Sequence, residues 1–350
     1  MTSSQSSASS PQAMRVSFVI PTLNSARTLR DCLRAIRAQR YPRDCVEVIL
    51  ADAGSSDDTR AIAAEFGVDR IVENPLRSGE AGKSAGIRAS AGDLIALVDS
   101  DNVLDSPDWL QRMVRPFEDP EIVAAEPLRY TWRCDDPALT RYFAMLGMND
   151  PLCLFLGNYD RYSMVTGRWT DLPVQSDARD GYLKLTLSQQ ALPTIGANGF
   201  VFRRNLLDQI TWEPYFFDID VVQQAVAAGL VHVAKVDAGI VHLYCSRLRD
   251  FARKQDRRIK DFLFFAAQRT RTYPWAQQRR TGIVWFSLAT VLVLPLAAQA
   301  LRGLRRKPDP AWLLHIPVCW ITLLVYGLGV MRKVLGLRVE AKSREGWQKG

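Results

Sequence analysis

Apolar positions in the first third of the chain fall in short runs, separated by polar turns and by stretches of helical period. Val16-Ser17-Phe18-Val19-Ile20 ends at Pro21 and reads as a buried strand. Ser25 stands where it can cap a helix reaching about Gln39, with Leu29, Leu33 and Ile36 on one face. Residues 46–50 form a second strand, followed by the loop Asp52-Ala53-Gly54-Ser55-Ser56-Asp57-Asp58-Thr59 and a helix carrying Ile62 and Phe66. A short strand at Ile71-Val72 precedes a Gly-rich segment at 78–84 that opens a helix to about Ser90. Leu94-Ile95-Ala96-Leu97-Val98 then runs straight into Asp99-Ser100-Asp101-Asn102. Strands alternating with helices imply a mainly parallel sheet covered on both faces. Ligands bind such sheets at the carboxyl ends of the strands, so Thr22, Asn24, Asp52, Asp99 and Asp101 are expected to converge on one crevice.

Further on the pattern loosens. Residues 129–188 are rich in Trp, Tyr, Arg and Asp without a clean period, and read either as a substrate-binding region or as a structural insertion. The segment Ile195-Gly196-Ala197-Asn198-Gly199 is a loop leading into an apolar stretch. Phe217-Asp218-Ile219-Asp220 precedes a helix that ends at Gly229. Residues 246–272 are basic and amphipathic, with Leu248, Phe251, Ile259, Phe262 and Leu263 roughly on one face, as in a helix lying on anionic lipid. Residues 281–301 carry no charge, and neither do 311–331 apart from His315. Each run is long enough to cross a hydrocarbon core of ~30 Å, so two transmembrane helices are expected, with Pro295 and Pro317 bending them. If the charge of Arg302, Arg305, Arg306 and Lys307 in the connecting loop dominates, the hairpin re-enters or lies flat instead.

Four regions follow from this pattern: a disordered tail over 1–13, a catalytic domain over 14–245, a basic interfacial helix over 246–280, and a membrane hairpin with a basic end over 281–350. The overall hydrophobic content of 47% is ordinary and conceals that segregation. The formal net charge of +8 is concentrated toward the C-terminal end, which favours anionic headgroups or phosphates over nucleic acid as partners. Counting Lys and Arg beside the hairpin places the catalytic domain on the cytoplasmic side of an inner or plasma membrane. The six cysteines are scattered and form no CxxC pair, which excludes a disulfide framework and a zinc ribbon and suits a reducing compartment. The Ser-rich residues 2–10 lack the apolar core of a signal peptide.

Two carboxylates one residue apart at the end of a buried strand can share a hard divalent cation with a diphosphate. The cation then stabilises charge on a departing nucleotide. Together with the segments 16–24, 52–59 and 82–87, the Asp99-Ser100-Asp101 motif resembles the family 2 glycosyltransferases of GT-A fold. The resemblance is close over residues 16–102 and looser to about Gly229. It implies an inverting enzyme that moves a sugar from a nucleotide diphosphate sugar, a UDP-sugar, to a membrane-associated acceptor such as a polyprenyl-phosphate or a lipid-linked glycan. It further implies that Pro21, Thr22 and Asn24 lie near the nucleoside and that Asp52 accepts a hydrogen bond from the base. Lys83 would approach the diphosphate, Asp99 the ribose or metal, and Asp101 a Mg²⁺ or Mn²⁺ ion. His242 falls where some relatives place a further metal contact, although a lone His near a strand end is also a common structural residue. Gly196, Asn198 and Gly199 resemble the acceptor-side loop, or simply make a turn. The family's catalytic base is matched by Asp218, with Asp220 as its competitor, because Phe217 stands where relatives carry Glu. Ser84 likewise replaces a common Asn. A hydroxyl acceptor needs such a base, whereas an already anionic lipid phosphate does not. A nucleotidyltransferase of related fold is disfavoured by the loop Pro21-Thr22-Leu23-Asn24, which lacks the Gly-rich, Arg-containing sequence such enzymes carry. A noncatalytic membrane scaffold is disfavoured by the intact Asp99/Asp101 pair.

Overall fold

A computed structural model describes residues 13–267, 273 and 280–336. Residues 1–12 of the expected disordered tail, residues 268–272 and 274–279 of the expected interfacial region, and the basic end beyond residue 336 lie outside the described residues. The first half is built as the hydrophobic pattern requires: β1 (Val16–Thr22), α1 (Ala26–Arg37), β2 (Val46–Asp52), α2 (Thr59–Glu65), β3 (Arg70–Glu73), α3 (Gly79–Ala89) and β4 (Leu94–Leu97). Strands β1, β2, β3 and β4 pair in parallel, with Thr22 level with Asp52 and Val19 level with Leu97. Their carboxyl ends therefore share one edge. Helix α3 lies unusually close to β1, because a Cβ on Gly86 would come within 2.4 Å of Val19 Cγ1. The start of α1 departs from expectation. The Ala26 N–H is accepted by the Asp57 carboxylate at 3.0 Å, while Ser25 Oγ accepts the Leu23 N–H and the Ser100 hydroxyl.

The second half contains β5 (Asn102–Leu104), α4 (Trp109–Val114), β6 (Ala124–Thr131), α5 (Ala138–Leu146), α6 (Leu152–Leu156), β7 (Gln175–Arg179), β8 (Tyr182–Thr186), β9 (Phe200–Arg203), α7 (Asp218–Ala227) and β10 (His232–His242). All ten strands form one sheet in the order β3-β2-β1-β4-β9-β6-β10-β8-β7, with β5 on β10. The expectation of a mainly parallel sheet is corrected: β9 enters antiparallel between β4 and β6, and β8 and β5 pair antiparallel with β10. The sheet is mixed. Residues 129–188 are also more regular than their sequence suggests, since they supply α5, α6 and the β7–β8 hairpin.

A fully buried charge cluster sits beneath the loop at 194–199. Glu126 pairs at 2.5 Å with both Arg161 and Lys235, and all three side chains are sealed from solvent. Asp160 completes the cluster against Arg161. Desolvation of such charges is costly unless each is paired and hydrogen-bonded. Here Glu126 accepts the Gly196 N–H, Arg161 donates to the Ala197 carbonyl, and Thr194 donates to Asp160. The cluster thus fixes the loop that follows.

The C-terminal region holds α8 (Leu248–Ala267), α9 (Arg280–Leu292), α10 (Leu294–Arg306) and α11 (His315–Val334). The apolar side of α8 is covered by protein, which corrects the reading that this face rests on lipid: Phe251, Ile259 and Leu263 are buried, and Ile259 meets Gly329 of α11. Two straight transmembrane helices are not observed. The first apolar run breaks at Val293, whose φ is 62°, and Pro295 starts a new helix bent by 92° from the first. A proline ring excludes the helical hydrogen bond it would need at that point. The second run is one stretch, Pro310–Val334, with a mean hydropathy of 1.9, long and apolar enough to cross a membrane.

Replacing Glu126 with Ala leaves two buried cations without their shared carboxylate. The expected loss is about 3–5 kcal/mol of domain stability, read from the denaturant midpoint of detergent-purified protein. Glu126→Gln, which keeps an acceptor for Gly196, is expected to lose less.

Candidate active site

A cavity of about 1110 Å³ opens along the carboxyl edge of β1 and β4 and the end of β10. Pro21, Thr22, Asn24, Lys83, Asp99, Asp101, Asn198, Asp218 and His242, which lie far apart in sequence, all line it. Asp52, Asp220, Gly196 and Gly199 do not.

Asp52 is buried and braces the strand ends. Its two oxygens accept from Thr22 Oγ1, Ser55 Oγ, Ser55 N and Arg60 Nε, which fills the four acceptor positions of a carboxylate. Burial opposes its charge, but the Ser55 and Arg60 donors prevail and hold it below the usual carboxylate range. In this structure the Asp52 side chain joins β1, β2 and α2. Asn24, at φ 50°, is held from the same loop, its N–H donating to Ser55 Oγ and its Oδ1 accepting from Ser56 N.

Lys83 projects from α3, whose first turn is capped by Ser78 accepting the Ala81 N–H at 2.9 Å. Its ammonium lies 2.5 Å from Asp218 Oδ2 at the start of α7. The Asp218 carboxyl stands raised to about 6: burial pushes it up most, Lys83 opposes that, and the nearby Asp99 charge adds to the rise. Asp218 Oδ1 is buried and accepts no hydrogen bond among the described residues. Asp220 is turned the other way and accepts the Tyr273 N–H at 2.9 Å. Of the two candidate bases, Asp218 alone faces the cavity.

The acidic pair divides its attention. Asp99 acts on Lys83 and Asp218, whereas Asp101 faces His242, with Oδ1 3.5 Å from Nε2, and Lys254, 3.8 Å from Oδ2. Burial resists ionisation of Asp101, yet His242 and Lys254 hold its carboxyl down to about 2. His242 is oriented by Asn149, whose amide nitrogen is 3.1 Å from Nδ1. The structure thus brings Asp101 and His242 together, but among the described residues no three His, Cys, Asp or Glu side chains form a ready metal site. The expected trio with Asp99 is not assembled by protein alone.

The turn is tied to the second half by a relay. Asn102 Nδ2 donates to Asn198 Oδ1, and Asn198 Nδ2 donates to Tyr130 Oη. Gly196, at φ 134°, passes so near α7 that a Cβ would lie 2.6 Å from the Asp218 carbonyl oxygen. Gly199, at φ 87°, makes a turn packed on Trp109 and Ile240. Lys254, Asn149 and Arg161 were not singled out from sequence. Lys254 sits within a run of basic residues on α8 and carries no mark that separates it from its neighbours.

The family model described as Glycosyl transferase family 2 matches residues 17–210. The glycosyltransferase AglE of Haloferax volcanii is 32% identical over 104 residues, 28% of this chain and 34% of that protein. An N-acetylglucosaminyltransferase of Mesorhizobium japonicum is 36% identical over 116 residues, 31% of this chain and 27% of that protein. The matched segments span about a third of the length of these relatives. Among solved structures, the mannosyltransferase PcManGT from Pyrobaculum calidifontis, in complex with GDP-Man and Mn²⁺, superposes with a TM-score of 0.53 at 17% identity. The match covers 92% of this chain and 89% of that one, and the likeness is one of fold, GT-A.

Gly196→Ala is expected to strain the loop and displace Asp218, at about 1–3 kcal/mol in the denaturant midpoint. Gly229→Ala, also at positive φ but with nothing within 4 Å of a new Cβ, is the control and is expected to lose less.

Proposed function

This chain belongs to glycosyl transferase family 2, and on that premise we propose that it transfers a sugar, with inversion, from a nucleotide diphosphate sugar to a membrane-associated acceptor. The observation that carries the reading is Asp218 in the cavity, paired with Lys83 and beside Asp99. A carboxyl poised near 6 with one unpartnered oxygen is suited to take the proton of an acceptor hydroxyl as that oxygen attacks the anomeric carbon. Lys83 places a cation against the same carboxylate and favours its ionised, proton-accepting form. Thr22 and Asn24 border the donor end.

Asp101 and His242 fit a Mg²⁺ or Mn²⁺ ion, because a hard cation is commonly held by one or two protein ligands with substrate phosphates completing its shell. That ion would supply Lewis-acid stabilisation of the leaving diphosphate. Asn149 keeps the imidazole aimed at Asp101, and Lys254 contributes fixed positive charge.

The other wall of the cavity is apolar, with Leu152, Leu156, Phe262, Ile283, Phe286 and Leu323 contributed by α6, α8, α9 and α11. That wall supports a lipid-borne acceptor. The availability of Asp218 as a base favours a hydroxyl, as on a lipid-linked glycan, over a polyprenyl-phosphate.

The test incubates detergent-purified protein with a panel of nucleotide sugars, Mn²⁺ and membrane lipid extract, and identifies glycosylated lipid and freed nucleotide by mass spectrometry. Asp218→Asn is expected to lower transfer by roughly 10²–10⁴-fold while leaving donor binding in place. Transfer unchanged in a correctly folded Asp218→Asn protein would refute the assignment. In the unsubstituted enzyme, transfer is expected to fall as pH drops through about 6, because the protonated Asp218 carboxyl cannot accept the proton. A rate flat across that range argues for an already ionised acceptor.

A further inference from the structure

A helix that crosses a bilayer leaves its soluble domain at one end. Helix α11 does not leave. His315 Nδ1 is 2.8 Å from Tyr142 Oη in its first turn, and Val318, Cys319 and Thr322 are buried. Tyr326 donates to Asp150 and to Gln255, Gly329 packs on Ile259, and Arg332 approaches Asp256 at 4.0 Å. At 1.5 Å per residue these contacts extend over about 26 Å, close to the full hydrocarbon thickness of ~30 Å. Were α11 to span, the Asp150–Arg258 ion pair and Gln255 would be carried into the bilayer beside its middle, at a cost of several kcal/mol.

The broken pair α9 and α10 behaves in the same way. Gly282 lies against the Phe155 carbonyl, and Phe286 stacks edge-on against Phe155 at 5.2 Å, so α9 starts on the catalytic domain. After the 92° bend α10 returns to that domain. Arg306 donates to the Met164 and Val165 carbonyls, and Asp309 pairs with Arg141 at 2.9 Å. The connection between α10 and α11, which a two-span hairpin would place across the membrane, is bound to the catalytic domain itself.

The sides of these helices that face away from protein are apolar. Val284, Leu294, Leu313 and Val334 are each at least 61% exposed. Exposed Arg302, Arg305 and Lys333 accompany them. Apolar faces bordered by cations match the boundary between acyl chains and anionic headgroups.

We infer that α9, α10 and α11 form a platform embedded in a single leaflet, with none of the three crossing to the other side. The catalytic domain, the α10–α11 connection and the end of α11 then share one face of the membrane. This placement does not depend on which acceptor the site uses.

The test uses the full chain in sealed vesicles of either orientation, prepared from expressing cells, with a membrane-impermeant maleimide. Cys134 is exposed on the catalytic domain and reports its face in the unsubstituted chain. Arg305→Cys and Lys333→Cys, each at an exposed position and each made with Cys134→Ser, report the connection and the end of α11. All three are expected to be modified from the same face, with labelling lost in vesicles of the other orientation. Modification of either new cysteine from the opposite face, or from neither face, overturns the inference. So does recovery of the chain in the soluble fraction.

Discussion

The contact between Lys83 and Asp218 joins residues 135 positions apart and holds the two halves of the molecule to one purpose. Lys83 belongs to α3 and Asp218 opens α7, and Ile87 of the one and Val221 and Val222 of the other share one apolar cluster. Burial opposes the charge on each, and each stabilises the ionised form of the other. The approach of the elements that carry them is narrow. Gly86 lets α3 settle on Val19, and Gly196 lets the 194–199 loop pass under α7. A methyl group at either place would move one partner of the pair.

The rest of the second half serves to keep that loop and the Asp99–Asp101 turn in place. Buried Glu126, Arg161, Lys235 and Asp160 hold the loop from below through Gly196, Ala197 and Thr194. Asn102, Asn198 and Tyr130 tie it to the acidic turn. Buried ion pairs contribute little net stability compared with a well-packed apolar core, so their value here lies in fixing one conformation. Asp52 does a similar task at the strand ends, where it closes the first crevice loop with four donors.

The donor half was legible in the sequence because its information is local. An apolar run such as 94–98 followed by Asp99-Ser100-Asp101 states both a strand and where its polar end must lie. The acceptor half was legible only in its loops. Strands β6 and β10 pair across about a hundred residues, and no local pattern announces a mixed sheet. Nothing local in the sequence separates Arg161, Lys235 and Lys254 from surface cations; only the fold shows what surrounds them. Asp52 sits where a base contact was expected, yet neighbouring donors, invisible to motif comparison, occupy it. Composition likewise revealed that residues 281–301 and 311–331 are apolar. It could not reveal that the catalytic domain covers one side of each.

The apolar wall of the cavity and the exposed apolar faces of the C-terminal helices share α9 and α11, so the site borders that exposed apolar surface. The central claim remains that Asp218 is the base and that Lys83 sets its ionisation. The pH dependence of kcat at saturating donor and acceptor in Lys83→Met tests this most directly. Removing the cation is expected to move the acid limb upward from about 6, because burial and Asp99 then act on Asp218 unopposed. An acid limb that stays where it is in the unsubstituted enzyme would contradict the account.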